Sequence, residues 1–351
     1  MKKYLRLFIV LSLVGVAVIV WVSTRSQTSG GVPQGEGIAS VVNTERSEAS
    51  SAVRELSLAE RRFLLLEMDP AEAKAWILQE LDKGEDFQTG NDLTIGLGQH
   101  LETWPSFRVF LLDVLFLIDP ETAAMKSRKL VEESQSPDEW AVALRNVAKI
   151  ETGESETAWL QEKAAVLLRN RTWRSNPSAG CLNAFDVIVH TNHTALSPEL
   201  LELCEDVDQR AVRHASFLTL DRLVQGSPEE MLSLLARSAE QYSEVGPMIS
   251  NLMARADVRN PVQREALETY LLSDQRTGDE LSSFANVFPN ANYHVSNNLL
   301  TQTTGVDGVD LSAKDSASLE LVREWLVDTR FAHLHSELET MHRRLKSFVE
   351  R

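Results

Sequence analysis

Cysteine is scarce in this chain, which contains two in 351 residues. Two cysteines exclude a disulfide-dense scaffold and a four-cysteine metal site within the chain. The sequence also lacks a phosphate-binding glycine loop, a Gly-x-Ser-x-Gly motif and a Ser-x-x-Lys motif, so motifs indicate no catalytic class. Basic residues are few, with 35 Lys and Arg against 51 Asp and Glu. Because neutralising phosphates needs clustered Lys and Arg, this balance argues against nucleic-acid binding.

The composition is that of a globular protein. Hydrophobic residues make up 43 % of the chain and charged residues 25 %, which is far from the composition of a disordered protein. The length fits about two domains or one elongated array.

The first 22 residues predict a membrane anchor. Lys2, Lys3 and Arg6 precede an apolar run that extends to Val22. A secretory signal peptide has a similar start, but its cleavage site needs small residues, and this exit instead carries the bulky Trp21. We therefore predict an uncleaved helix that contacts the membrane through residues 5–22, with Trp21 at the interface.

The distribution of charge predicts the orientation of the anchor. Three of the four basic residues in the first 25 precede the apolar run, which places the N-terminus in the cytoplasm and the body outside it, in the periplasm if the cell is bacterial. The rest of the chain has 31 basic and 51 acidic side chains, a net charge of −20. Anionic lipid repels such a body, so we expect it to stand away from the membrane.

Residues 23–52 predict a flexible linker. Ser, Thr, Gly, Gln and Glu dominate this stretch, and it lacks helical or strand periodicity. A random coil of that length reaches on the order of 30 Å.

From residue 53 onward the sequence predicts an all-α body. Proline is favoured at the first position of a helix, with Asp, Ser or Asn before it as the N-cap. Six of the eleven prolines occur in this context: Asp69-Pro70, Asp119-Pro120, Ser136-Pro137, Ser197-Pro198, Ser227-Pro228 and Asn260-Pro261. Four of these starts also have an acidic residue or glutamine at the third helical position, which predicts a capping box: Glu72, Glu139, Glu230 and Gln263.

Apolar residues between these starts are spaced by three and four, and alternation of period two is essentially absent. The run from Phe107 to Ile118 is nearly all apolar but too short to span a bilayer, which predicts a helix buried between its neighbours.

Two segments resemble HEAT-type helical repeats. Residues 119–150 read as one helix, a tight turn and a second helix rich in Ala, Leu and Val. Residues 208–236 match part of the Asp-x-x-Val-Arg-x-Ala spacing of these repeats, through Val212-Arg213 and Ala215. The resemblance covers about residues 100–240 and implies helix pairs of about 40 residues that stack into an α-α superhelix, or α-solenoid. We assign the repeat domain to residues 53–300; a compact irregular helical domain is the alternative.

The C-terminal part is predicted as a loop at residues 301–315 and one amphipathic helix at residues 316–351. Apolar residues in this helix repeat at intervals of three and four: Phe331, Leu334, Leu338, Met341, Leu345 and Phe348. This seam is typical of a helix that caps the end of the array, or of a coiled coil that forms a homodimer. We favour the cap, because a coiled coil this short is marginal alone.

Cys181 and Cys204 are candidates for a disulfide. If two antiparallel helices meet at a turn near His193, the cysteines lie about twelve and about eleven residues from that turn, and therefore level with each other. An oxidising compartment would favour the bond. Two buried free thiols are the alternative.

A binding surface is predicted at Arg169, Arg171, Trp173 and Arg174, the only dense basic cluster in the acidic body. These arginines could bind an anionic polymer or the carboxylates of a partner, and the ring of Trp173 could stack against the bound group. In the alternative interpretation, the arginines only complement the end of a helix.

Metal and ligand signals elsewhere are weaker. His335, Glu339 and His342 share one helix face, but no second ligand cluster is visible, so we predict neither a metal nor a cofactor. The asparagine-rich stretch around Phe288, Asn290, Asn292, Tyr293 and His294 is better explained by turns than by ligand binding.

The sequence therefore predicts a membrane-anchored, extracytoplasmic helical-repeat protein that serves as a protein-interaction module or scaffold, without catalytic residues of its own. Two alternatives remain open. One is an all-helical envelope enzyme that acts on glycans through carboxylates, and the other is a membrane assembly protein that dimerises through its last helix.

Overall fold

The structure is a computed structural model that describes residues 56–292, 297–302 and 310–350. Within these residues the fold is all-α, as the sequence predicts. The chain divides into two units, Met1–Arg61 and Arg62–Arg351. The described part of the first unit is residues 56–61, and the second unit contains the helical body.

The helices are mostly eight to seventeen residues long and follow one another through short connections. They are α1 Leu58–Glu67, α2 Pro70–Asp82, α3 Phe107–Ile118, α4 Pro120–Glu133, α5 Pro137–Ile150, α6 Glu154–Arg169, α7 Arg171–Ser175, α8 Ala179–Asn183, α9 Asp186–His190, α10 Ser197–Glu205, α11 Arg210–Gly226, α12 Pro228–Ser238, α13 Gly246–Met253, α14 Pro261–Leu271, α15 Gly278–Val287, α16 Leu311–Val327 and α17 His335–Val349. Single 3₁₀ turns lie at Leu97–Gln99, Thr194–Leu196 and Ser243–Val245, and a longer one lies at Thr329–Leu334.

All six predicted Pro-initiated helices are present. Each of the six prolines lies at the first or second position of its helix. The preceding side chain accepts a backbone hydrogen bond in four of them, where it is Asp69, Asp119, Ser136 or Asn260. Ser197 instead donates to the sulfur of Met231, so its hydroxyl joins α10 to α12.

The four predicted capping boxes do not form in these described helices. Glu139 accepts from the Ser134 hydroxyl, and Gln263 accepts from the backbone N–H of Asp257. A capping box does form between Thr277 and Glu280 at the start of α15, and Ser57 and Glu60 make the same reciprocal bonds at the start of α1. The side chains of Glu139 and Gln263, which the pattern assigned to helix caps, thus form hydrogen bonds with other neighbours.

Helix α3 begins at Phe107 and ends at Ile118, the bounds of the predicted apolar run. Its side chains from Val109 to Leu115 are buried, and Arg108 in its first turn is half-buried. The helix packs against α2, α4 and α5, which explains why almost every face of it is apolar.

A short antiparallel hairpin between α2 and α3 is absent from the sequence prediction. Strand β1, Thr94–Ile95, pairs with β2, Leu101–Thr103, and these are the only named strands in the described residues. The two strands are too short to produce a clear period-two pattern. The turn between them contains Gly98 with a positive φ of 70°, a conformation that glycine adopts without strain.

The C-terminal region is two helices rather than the single helix predicted for residues 316–351. Helix α16 begins five residues earlier, at Leu311, and ends at Val327, and α17 follows a 3₁₀ turn. Asp328 separates the two, since its side chain accepts from the backbone N–H of Arg330 and begins the turn. The reversal of the chain at this turn allows α17 to pack on both α16 and α15.

The predicted apolar seam, which starts in the 3₁₀ turn Thr329–Leu334 and continues along α17, lies inside this packing. Phe331, Leu334, Leu338, Met341 and Leu345 are each at most 1 % exposed, whereas Phe348 is 46 % exposed. The seam is therefore covered by the chain's own helices.

The predicted membrane anchor, residues 1–22, and the predicted linker, residues 23–52, lie outside the described residues. Among the helices that are described, none combines the length and the apolar character needed to cross a bilayer.

Candidate functional site

A cleft of about 490 Å³ opens along α11. One wall is a face of α11 that runs from Ala211 to Gly226, and the opposite wall is formed by α8 and α9. The cleft is closed on a third side by residues 297–302, which we call the strap. This volume is in the usual range for ligand sites.

Asp186, at the start of α9, holds the strap in place. Its carboxylate accepts hydrogen bonds from the backbone N–H groups of Leu300 at 2.6 Å and Thr301 at 2.9 Å. The Thr301 hydroxyl donates to the same carboxylate. Because Asp186 is only 5 % exposed, these charge-assisted bonds lie in a largely dry environment.

The strap also contacts the hairpin. The side-chain nitrogen of Gln99 donates to the carbonyl oxygen of Leu300, and that of Asn297 donates to the carbonyl of Ile95 at 3.0 Å. Leu299 and Leu300 are buried. The strap therefore joins the hairpin and α9, elements that lie more than a hundred residues before it in the chain.

Two ion pairs, each between a buried carboxylate and a half-buried arginine, lie beside the cleft. The guanidinium of Arg222 in α11 lies 2.8 Å from the carboxylate of Asp186. The next residue back, Asp221, accepts two hydrogen bonds from Arg255, which follows α13. Adjacent residues of α11 thus pair with partners on different elements, and each pair cancels its charge in a buried setting.

The sequence prediction did not include this site. Asp221 interrupts a broad apolar face of α11, and a charged residue in such a face is almost always paired when buried. That interruption was the available signal, but the identity of the partners 36 and 34 residues away is set by packing.

Cys181 and Cys204 are free, buried thiols in the structure, so the predicted disulfide is not formed in it. The prediction assumed one continuous helix from Cys181 to His190, but the chain forms two short helices, α8 and α9, with a turn between them. Counting residues from His193 therefore does not place the two cysteines level. Burial raises the pKa of Cys181 to about 11 and that of Cys204 to about 12.

The predicted basic surface is only partly available for binding. Trp173 is 8 % exposed; its ring nitrogen donates to the carbonyl of Gln135, and its ring packs edge-on against Trp140. It therefore serves the core and cannot be the stacking platform that the sequence indicated. Arg169 lies at the end of α6, where its guanidinium binds both carboxylate oxygens of Glu199.

Arg171 and Arg174 remain from this cluster. Arg171 is exposed at the start of α7, and Arg174 is half-buried near Cys181. His193 also lies near Arg169 and Glu199, and burial together with Arg169 lowers the pKa of its imidazole. The ion pair between Arg169 and Glu199 lowers the pKa of Glu199, so that carboxylate stays charged.

The remaining candidates do not form a site in the described residues. His335 lies 3.4 Å from Glu339 on exposed positions of α17, and no group of three His, Cys, Asp or Glu side chains within the described ranges is arranged to hold a metal. Phe288 is fully buried and stacks on Phe284. Tyr293 and His294 lie outside the described residues.

Comparison of the chain with protein-family models, with curated proteins and with solved structures gave no match.

Proposed function

We propose that the chain is a membrane-anchored, extracytoplasmic protein whose helices form a HEAT-like superhelix, and that it acts as a protein-interaction module or scaffold. Stacked helix pairs present long surfaces to a partner without requiring a deep polar cavity. The observation that carries this proposal is a recurrent sequence separation in the contacts between helices.

Many hydrogen bonds and ion pairs of the body join residues 30 to 36 positions apart. They include Asn146 with Leu112, Gln161 with Thr191, Asn192 with Ser227, Thr194 with Glu230, Arg213 with Met248, Asn251 with Ser283 and Arg255 with Asp221. In a stacked array, equivalent positions of neighbouring units touch, and their separation is the length of one unit. The recurrence supports a unit of roughly this length.

The pattern of helix neighbours gives the same support. Helices α10 and α11 pack together as sequential neighbours, and helices two apart also pack, as α11 does with α13, α12 with α14, and α13 with α15. Contact with both the next helix and the next but one is what stacking of helix pairs requires.

The cleft along α11 favours binding over glycan hydrolysis. The two carboxylates among its described lining residues, Asp186 and Asp221, are bound by arginines, and Asp186 also accepts three hydrogen bonds from the strap. A catalytic carboxyl group must be able to contact the substrate, and these two carboxylates are already engaged by partners within the protein. No observation on the described residues therefore favours the enzymatic alternative.

The anchor and orientation are tested by expression of the full chain with a single added cysteine in the predicted linker, in place of Ser29. We expect the chain to remain in the membrane fraction after a carbonate wash and Ser29→Cys to react in intact cells with a maleimide that cannot cross membranes. Recovery in the soluble fraction, or labelling only after lysis, would contradict the proposal.

The interaction role is tested by photo-crosslinking within cells, with a crosslinking amino acid placed at exposed positions of the full chain. His214 lies on α11 at the cleft, and Met125 is 67 % exposed on α4. We expect a discrete adduct of one partner from a contiguous set of positions. Adducts that form equally from every position, or from none, would contradict a specific interaction surface.

A further inference from the structure

Five of the polar side chains that line the cleft already use hydrogen-bond donors within the protein. Two of them are amides. The amide nitrogen of Asn183 donates to the carbonyl of Ala179 at 2.8 Å, and that of Gln225 donates to the carbonyl of Asp221 at 3.2 Å. Because a carbonyl oxygen only accepts, these bonds fix which atom of each amide is nitrogen. The oxygens of Asn183 and Gln225 are left to interact with anything in the cleft.

The same pattern holds for the other three. The hydroxyl of Thr219 donates to the carbonyl of Ala215, and the hydroxyl of Thr301 donates to Asp186. The side-chain nitrogen of Asn297 donates to Ile95. The five side chains therefore present oxygen lone pairs to the cleft region, and a ligand that brings hydrogen-bond donors can bind to them.

The charged groups point to a cationic ligand. Arg222 is engaged by Asp186, and Arg255 by Asp221, so these two arginines add little net positive charge near the cleft. The chain after Arg25 has a net charge of −20, and an acidic body attracts positively charged partners. Lysine and arginine side chains are the protein groups that carry only donors together with positive charge.

The shape of the cleft suits an extended segment with a long side chain. Its wall on α11 runs from Ala211 to Gly226, about 22 Å at the rise of a helix. An extended strand advances about 3.3 Å per residue, so this length accommodates about six or seven residues. Ala211, Ala215 and Leu218 provide an apolar strip along this wall, against which the methylene stem of a basic side chain packs.

We propose that the cleft binds an extended segment of a partner protein through a lysine or arginine side chain, whose charged end donates to the oxygens of Asn183 and Gln225. This proposal rests on the proposed function as a protein-interaction module and names the chemistry of its partner. A glycan is disfavoured because sugar hydroxyls are matched by mixed donors and acceptors, and Phe185, the only Phe, Tyr or Trp among the described residues of the lining, is buried.

The test uses the full chain in nanodiscs of neutral phosphatidylcholine, so that the lipid does not attract cationic probes. Three fluorescent, end-capped heptapeptides of alanine differ only at the central residue, which is arginine, citrulline or glutamate. Fluorescence polarisation at physiological salt measures their binding. We expect the arginine peptide to bind about tenfold more tightly than the citrulline peptide, and the glutamate peptide not to bind, because citrulline keeps the shape but loses the charge-assisted bonds.

Two cleft variants and one control locate the binding. Gln225→Met removes an acceptor at an exposed position, and Ala211→Phe narrows the cleft at another exposed position. The matched control is Gln275→Met, because Gln275 is also exposed and donates to a neighbouring aspartate, but lies outside the cleft. We expect both cleft variants to weaken binding of the arginine peptide severalfold and the control to leave it unchanged.

Absence of discrimination between the arginine and citrulline peptides would overturn the proposal, as would equal weakening by Gln275→Met, which would indicate attraction to the acidic body as a whole. If the crosslinked partner of the full chain is still captured by Ala211→Phe and no peptide binds, the interaction role stands and the cleft is not its site. If neither partner nor peptide is captured, both proposals fail.

Discussion

Arg145 and Asp113 form an ion pair that is almost completely enclosed, with their side chains 2 % and 4 % exposed and a guanidinium nitrogen 2.8 Å from the carboxylate. The second oxygen of Asp113 accepts from the ring nitrogen of Trp104. The other guanidinium nitrogens of Arg145 donate to the side-chain oxygen of Asn146. The pair joins α3 to α5, and its hydrogen bonds compensate for removing both charges from water.

We predict that Arg145→Met lowers the free energy of unfolding by about 3 to 5 kcal/mol, because it leaves the carboxylate of Asp113 buried and unpaired. Urea unfolding followed by circular dichroism measures the change. The double variant, Asp113→Asn with Arg145→Met, should lose less free energy of unfolding than Arg145→Met alone. If the double variant is the less stable of the two, the loss does not come from an orphaned charge.

Asp186 should control the strap. We expect Asp186→Asn to lower the free energy of unfolding by about 3 kcal/mol, since it removes the charge that pairs with Arg222. Hydrogen exchange measured by mass spectrometry should show lost protection at the amides of Leu300 and Thr301.

The matched control for this loss is Asp138→Asn. Asp138 likewise accepts hydrogen bonds from a distant segment, through the hydroxyl of Ser178 and the backbone N–H of Gly180. Asp138→Asn should increase hydrogen exchange near Gly180 and leave the amides of the strap protected. Unchanged exchange of the strap in Asp186→Asn would show that other contacts hold it.

The two thiols should be unreactive in the folded protein. Burial favours the neutral thiol and raises the pKa of Cys181 to about 11 and that of Cys204 to about 12, so thiolate is scarce at about pH 8. We expect dithiobis-nitrobenzoate to detect no fast-reacting thiol in native protein at that pH and two after unfolding in urea. Fewer than two in protein unfolded without reductant would indicate a disulfide after all.

Asp119 makes stability depend on pH in the acid range. Its bonds to Lys74 and to the backbone N–H of Thr122 lower its pKa to about 2. This pKa lies below that of Asp119 in the unfolded chain. The ionised carboxylate therefore contributes fully to the free energy of unfolding above about pH 4, and this contribution is lost as the pH falls towards about 2. Asp119→Ala should therefore be less stable at about pH 6 by about 1 kcal/mol, and the difference should shrink in acid.

Asp119→Asn is the control for the cap, since asparagine also accepts the backbone hydrogen bond but does not pair with Lys74. At the same near-neutral pH the stability of Asp119→Asn should lie between those of the wild type and Asp119→Ala. If the difference in stability between the wild type and Asp119→Ala does not change with pH, it comes from the N-cap hydrogen bond alone and not from the charge of Asp119.

The seam of α17 should stabilise the chain without joining two copies of it. Leu338 is fully buried, so Leu338→Ala should lower the free energy of unfolding by about 2 to 5 kcal/mol. Phe348→Ser, at the exposed end of the seam, should leave the sedimenting mass unchanged. A mass that halves in Phe348→Ser would support the homodimer hypothesis instead.

Local sequence determined where seven of the seventeen described helices begin. Each of the six Pro-containing starts lies at the start of a helix, and α3 has the bounds of its apolar run. These features depend on neighbouring residues, since proline fixes its own φ and an N-cap bonds within one turn. Nothing distant in the chain has to be known to predict them.

Tertiary structure decided which polar side chains meet. The partners of Asp186 lie 36 to 115 residues away, and Trp173 is buried because Trp140 and Gln135 are placed beside it. A pattern of residue types cannot specify such pairs, because the energy of burying a charged or polar group depends on which group packs against it. The sequence alone thus set an acidic, all-helical chain with a predicted anchor, whereas the cleft along α11 and its strap exist only once the helices pack.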